Sequence, residues 1–167
     1  NQQRLTTAYD YAFRGCSALE SIDLSGLRVA GSFVFQNCTS LTSVTTDANT
    51  VIGEYMFMGC TSLPSFDIKA ARVENGAFQG CSSLENLTFS SDNLQYIGDY
   101  AFYGTAITSL TLPAGNYPVG SYAFGYCASL TSVTLSENTF IDKSKDSPFA
   151  GCSLLTSFTA PDGNPYY

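Results

Sequence analysis

Phenylalanine recurs at positions 13, 35, 57, 78, 102, 124 and 149, in steps of 22, 22, 21, 24, 22 and 25 residues. A period of that length kept through a 167-residue chain constrains the fold more than any other feature. One such unit is too short to bury its own apolar residues, so it must stack on its neighbours. Three residues after each Phe stand Cys16, Cys38, Cys60, Cys81, Thr105, Cys127 and Cys152. An apolar triplet follows in every unit: Leu19/Ile22/Leu24, Leu41/Val44/Thr46, Leu63/Phe66/Ile68, Leu84/Leu87/Phe89, Ile107/Leu110/Leu112, Leu130/Val133/Leu135 and Leu155/Phe158/Ala160.

Each repeat divides into a rigid and an elastic half. From Phe to the end of the triplet is 11 residues, except in the fifth unit, where it is 10; the return to the next Phe varies from 10 to 14. Length variation therefore collects where loops belong. The shortened unit is also the one with Thr105 in place of Cys, so that rung is expected slightly out of register. Alternation of apolar residues with Ser, Thr, Asp or Asn predicts a one-sided strand in each unit, stacked in parallel at about 4.8 Å per turn. Three residues before Phe stand Asp10, Ser32, Glu54, Asn75, Asp99, Ser121 and Asp146, mostly N-cap types. Two residues after Phe stand Gly15, Asn37, Gly59, Gly80, Gly104 and Gly151, suited to a left-handed closing residue, with Tyr126 breaking the rule. These signals predict a one-turn helix around each Phe.

Composition narrows the function. Seven Lys and Arg against fourteen Asp and Glu give a net charge of −7, which repels phosphate backbones and anionic headgroups, so no nucleic-acid partner is expected. No apolar run reaches the roughly 20 residues that span a bilayer, so no membrane insertion is expected either. The chain opens on Asn1-Gln2-Gln3-Arg4, and a signal or lipid anchor is expected to be absent from this chain. Histidine is absent, which removes the commonest general base and metal ligand. No catalytic, cofactor-binding or metal-binding residue is expected. Asp23 and Asp67 share a strand column, yet Thr45 separates them by a rung, and two rungs is about 9.6 Å, at or beyond the usual span of cooperating carboxylates.

The recurring pattern I/V-G-x-Y-A-F-x-G-C-x-x-L-x-x-I-x-L resembles the BspA-like, or Treponema-type, leucine-rich repeats. Ile97-Gly98-Asp99-Tyr100-Ala101-Phe102 and Val119-Gly120-Ser121-Tyr122-Ala123-Phe124 match it most closely, and the resemblance runs from about Ala8 to Ala160. It depends on seven repetitions, since one copy means little. Gly76 and Ser147 in the aromatic slot, Ala30 in the Ile slot and Thr105 in the Cys slot depart from it. The expected fold is a leucine-rich-repeat solenoid, α/β in class but rich in β, of about seven turns of 21–25 residues. It carries a parallel sheet on the concave face and one-turn helices on the convex side. Residues 1–167 are expected to form a single domain, a fragment of a longer chain lacking its caps, with end-to-end self-association as a consequence of open ends. The resemblance implies a secreted or cell-surface bacterial protein, host-associated and non-enzymatic, adhering to a host extracellular protein or glycan. A passive spacer or accessory domain presenting another domain is the alternative.

Family positions are core positions, so candidate contact residues come from the strand face: Ser21, Asp23, Ser43, Thr45, Ser65, Asp67, Asn86, Thr88, Ser109, Thr111, Ser132 and Thr134. They would form a weakly charged, hydroxyl-rich groove for a glycan or an extended segment, or no more than the polar face of a strand. Tyr11, Phe33, Tyr55, Tyr100 and Tyr122 form an aromatic column before Ala-Phe, either half-buried structure or a binding strip. Asp142-Lys143-Ser144-Lys145-Asp146 lies in the longest variable segment, a solvated insertion or a contact loop. The cysteines occupy one slot per turn, which suits small buried thiols; disulfides between adjacent rungs are the other reading.

Overall fold

In a computed structural model, residues 4–91, 93–137, 139, 141 and 146–161 are described. Among the described residues there are eleven short strands: β1 (Thr7–Ala8), β2 (Ser21–Asp23), β3 (Val29–Ala30), β4 (Ser43–Thr45), β5 (Ser65–Ile68), β6 (Arg72–Val73), β7 (Asn86–Phe89), β8 (Tyr96–Ile97), β9 (Ser109–Leu112), β10 (Ser132–Leu135) and β11 (Ser157–Thr159). All pairing is parallel, as a coil that repeats one path per turn requires. Seven of the strands coincide with the seven apolar triplets. The other four, with bridges Ile52↔Val73 and Ile97↔Val119, build a second ladder at the Ile/Val slot. Seven rungs enclose about six complete turns, so the count of seven turns is corrected by one.

The helix expectation is also corrected: among the described residues there is no helix. The residue two before Phe is left-handed in six turns, with φ between 51° and 61° at Tyr11, Phe33, Tyr55, Gly76, Tyr100 and Tyr122. An α-helix needs φ near −63°. What forms instead is a series of tight turns, with Ala12 N–H donating to Tyr9 O, Arg14 N–H to Tyr11 O and Cys16 N–H to Phe13 O (3.0–3.2 Å). The alternate N–H groups reach the next turn: Tyr11 to Ser32 O (3.0 Å), Phe13 to Val34 O (2.8 Å) and Gly15 to Gln36 O (2.7 Å). A helix would keep those donors to itself; the solenoid spends them on stacking. The N-cap residues serve the same end, since Asp10 Oδ1 accepts from Ser32 N, Asn75 Oδ1 from Asp99 N and Asp99 Oδ1 from Ser121 N, at 2.8–2.9 Å. The left-handed closing residue is where the sequence placed it, and Tyr126 adopts it too (φ 54°).

Phe35, Phe57, Phe78, Phe102 and Phe124 are fully buried and stack along the axis at 5.2–5.6 Å, continued at half-buried Phe13 and Phe149. Beside them runs a ladder of unbridged thiols. Each Cys Sγ–H beyond Cys16 donates to the Phe carbonyl of the preceding turn: Cys38 to Phe13, Cys60 to Phe35, Cys81 to Phe57, Cys127 to Phe102 and Cys152 to Phe124, at 3.1–3.3 Å. Burial pushes the Cys60 thiol up to about 12 and Cys81 well above its ordinary range. Thr105 departs as its shortened turn implies. Its hydroxyl bonds Phe102 O within its own turn (3.0 Å) and Cys127 Sγ (3.2 Å) instead of reaching back to Phe78.

Candidate functional site

The concave columns are in register. Ser21 pairs with Ser43 and Asp23 with Thr45; Ser65 with Asn86 and Asp67 with Thr88; Ser109 with Ser132 and Thr111 with Thr134. Every one of these side chains is exposed or half-exposed, because strand alternation sends the apolar partners Ile22, Val44, Phe66, Leu87, Leu110 and Val133 inward. Asp67 Oδ1 accepts from Thr88 Oγ1 (2.9 Å) and Ser90 N (3.1 Å) across one turn. The Asp23 carboxyl is held below its ordinary range by Ser25, whose backbone N–H lies 2.9 Å from Oδ1. Both carboxylates thus serve the local backbone. Among the described residues no cluster of three or more His, Cys, Asp or Glu can hold a metal ion.

The columns do not lie on one unbroken sheet. Backbone pairing joins β2 to β4, β5 to β7, and β9 to β10 to β11, with no ladder between β4 and β5 or between β7 and β9. Just before the strand, Thr42 N–H donates to Glu20 O, Glu85 to Pro64 O, Thr131 to Thr108 O and Thr156 to Thr131 O (2.9–3.1 Å). In the third turn that slot is Pro64, which has no N–H to give. The second break falls at the fifth turn, one residue short between Phe102 and Leu112.

Where β7 and β9 part, a cleft of about 330 Å³ opens in the concave wall, lined by Leu87, Thr88, Phe89, Ser109, Thr111 and Pro113. Leu87 and Phe89 are core positions, so the cleft reaches an apolar floor between hydroxyl-bearing walls. The strand pattern identified Thr88, Ser109 and Thr111; it missed the floor and Pro113, although the missing residue of the fifth turn marked the place. A second concavity of about 420 Å³ lies at the side of the solenoid, between Arg28, Asn49, Val51, Ile52, Arg72 and Glu74 among others. Its two guanidiniums are held by their own partners, Arg28 by Asp47 and Arg72 by Glu74, each at 2.7 Å. Nothing in the repeat pattern marked it, because it is built from loop residues.

The aromatic column is stacked and in part exposed, with rings 5.2 Å apart at Tyr11–Phe33, 4.8 Å at Phe33–Tyr55 and 5.4 Å at Tyr100–Tyr122. Residues 142–145 of the proposed contact loop lie outside the described residues.

The sequence matches the profile of the BspA type leucine-rich repeat region, in six copies over residues 1–73 and 50–166. A leucine-rich repeat protein from Bacteroides ovatus superposes with a TM-score of 0.77 at 23% identity, over 93% of this chain and 47% of its own length. The Treponema pallidum leucine-rich repeat protein gives 0.58 at 24%, over 96% of this chain and 68% of that one. A leucine-rich cell surface protein of Faecalibacterium prausnitzii gives 0.53 at 18%, over 95% and 61%. The chain spans about half the length of the Bacteroides protein, and at such identities the likeness concerns the fold. No curated protein matches the sequence significantly.

Proposed function

Since the chain belongs to the BspA-type leucine-rich-repeat family, we propose that it is a non-catalytic recognition module of a secreted or surface-attached protein, and that it adheres to a host glycan through its concave face. The observation that carries this reading is the cleft between β7 and β9. Its floor offers Leu87 and Phe89 to the C–H face of a sugar ring, and its walls offer Ser109 and Thr111 as hydrogen-bond donors and acceptors to ring hydroxyls, with Thr88, whose proton goes to Asp67, as an acceptor. Uncharged hydroxyls suit a polyol ligand, which brings no charge for the site to neutralise. The remaining strand-face residues, Ser21, Asp23, Ser43, Thr45, Ser65, Asp67, Asn86, Ser132 and Thr134, extend the surface along which a longer chain would lie. A surface location is supported by the family and by the Faecalibacterium cell surface protein that shares the fold.

The test is binding to a glycan array and to immobilised extracellular-matrix proteins, with Thr88→Arg and Ser109→Arg as variants. Both side chains are exposed and Thr88→Arg gives up only one exposed hydrogen bond, to Asp67, so the fold should be kept while the cleft is filled. Saturable glycan binding lost in both variants is the expected result. Binding to a matrix protein alone would overturn the glycan assignment. No binding anywhere would leave the module a spacer that presents another domain.

A further inference from the structure

The last residue of the apolar triplet turns inward, and in the first six turns it is Leu24, Thr46, Ile68, Phe89, Leu112 and Leu135. Five of these are buried, at 0–9% exposure. Among the described residues of those six turns Phe89 is the exception, packed against the core yet only half-buried. Its ring stands edge-on to Phe102 at 6.2 Å, which holds it in place. No ladder brings β9 against β7, and Phe89 lines the cleft left between them, together with Pro113. A phenylalanine half-open in a column of buried side chains is apolar area that a ligand can still cover.

Phe89 ends β7 and Pro113 directly follows β9, so both stand at the C-terminal ends of their strands. Pro113 is held as firmly as Phe89. Its carbonyl accepts from the Tyr117 hydroxyl (2.7 Å) and the Thr139 hydroxyl (3.1 Å), and both of those side chains are buried. Two bonds fill the oxygen's two lone pairs, and proline has no N–H to offer. A ligand hydroxyl set against Pro113 and the Phe89 ring would therefore lose water and gain no bond from either, which is a net cost. A methyl group in that place is buried at a gain. Hydroxyl partners stand elsewhere in the lining, at exposed Ser109, Thr111 and Thr88. None of the lining residues is cationic, and the Asp67 carboxylate bonded to Thr88 would repel an anionic sugar.

Resting on the glycan reading of this cleft, we propose that the sugar it selects is uncharged and carries a methyl group, as a 6-deoxyhexose or an N-acetylhexosamine does. The methyl seats against Phe89 and Pro113, and the ring hydroxyls meet Ser109, Thr111 and Thr88.

The test titrates the whole chain with free sugars that differ at the methyl: L-fucose against L-galactose, and N-acetylglucosamine against glucose, with glucuronic acid as the anionic arm. Saturation-transfer NMR reads both the affinity and the ligand protons that touch the protein. One methyl sugar should bind about tenfold or more tightly than its parent, as one carbon in an apolar pocket allows, and its methyl protons should receive the strongest transfer. A preference in the first pair identifies the deoxyhexose, and one in the second pair the N-acetylhexosamine. Phe89→Thr, which installs the residue type of Thr46 at the same slot, should erase the preference. Pro113→Ser keeps the carbonyl and lies outside the core, so it should reduce the preference even where Phe89→Thr does not fold. Equal binding of methyl sugars and parents, with Ser109→Arg abolishing both, would overturn this inference and leave the glycan reading standing. A preference that survives the Phe89 and Pro113 variants, or glucuronic acid bound as well as a methyl sugar, would overturn it too. So would a lack of binding by all of these sugars, and the glycan array then decides the wider reading separately.

Discussion

Truncating Phe102 to alanine separates stability carried by rung-to-rung stacking from stability spread evenly over the chain. The ring is fully buried, stacked on Phe78 and Phe124 at 5.2 Å each and set edge-on to Phe89 at 6.2 Å. Removing a buried phenylalanine side chain costs about 3–5 kcal/mol. Two stacked neighbours place Phe102 in the upper part of that range, since an aromatic pair contributes about 0.5–1.5 kcal/mol beyond its buried area. Phe13 is half-buried and stacks on Phe35 alone at 5.1 Å, so Phe13→Ala should cost about half as much or less. For a chain of this size the melting temperature should fall by roughly 8–20 °C in the first case and by less than about 10 °C in the second. Phe102→Leu, which keeps most of the volume, guards against a variant too unstable to purify. The assay is urea unfolding followed by circular dichroism. In a stack bound by nearest-neighbour contacts, a weak middle rung should also uncouple the flanking turns and lower the apparent m-value. Equal losses at Phe13 and Phe102 with an unchanged m-value would refute the reasoning.

Three further outcomes follow from the ladders. Cys60 is raised in the folded chain from its ordinary 9.0 to about 12, so the native state holds that proton longer than the unfolded state does. Its contribution is complete below about pH 9 and is lost as pH climbs from there towards 12; urea midpoints across that window should fall, and less steeply in Cys60→Ala. Gly80 has φ 71° with nothing within 4 Å of a Cβ built there, so Gly80→Ala should cost about 1 kcal/mol from the backbone alone. Gly80→Asn should cost less, because Asn37 holds the same conformation (φ 58°). Thr105→Val, nearly equal in shape, removes the hydroxyl from Phe102 O and Cys127 Sγ and should cost about 1 kcal/mol in the same denaturation assay.

The period of Phe and Cys made the stacking, the strand positions and the two polar columns legible, because in a coil each follows from one repeated unit. The convex side was not legible, and Asp10, Asn75 and Asp99 show why. An oxygen side chain that caps a helix within one segment is equally able to cap the backbone of a neighbouring turn. Which it does depends on a contact some 22 residues away. Tyrosine in the left-handed region is rare enough that residue type argues against it. The one available hint was Gly76 in the aromatic slot, since a position shared by Tyr and Gly in successive repeats is a natural place for a positive φ. Pro64 and the short fifth turn were both visible as well. Their consequence, a concave sheet broken twice, needed the knowledge that Thr42 and Glu85 donate at the slot Pro64 occupies.

The fifth turn also shows how a repeat protein can acquire individuality. Inter-turn bonds run both ways: backbone N–H groups around Phe donate forward and the cysteine thiols donate back. Duplicating or deleting a whole turn therefore recreates every bond type, and adding residues to a loop disturbs none of them. A single residue lost between Phe102 and Leu112 does what neither change can, leaving two neighbouring strands unlaced and a hollow between them. In such a lineage, surface mutation would only decorate a uniform wall. Indels inside the rigid half would decide where that wall has a doorway.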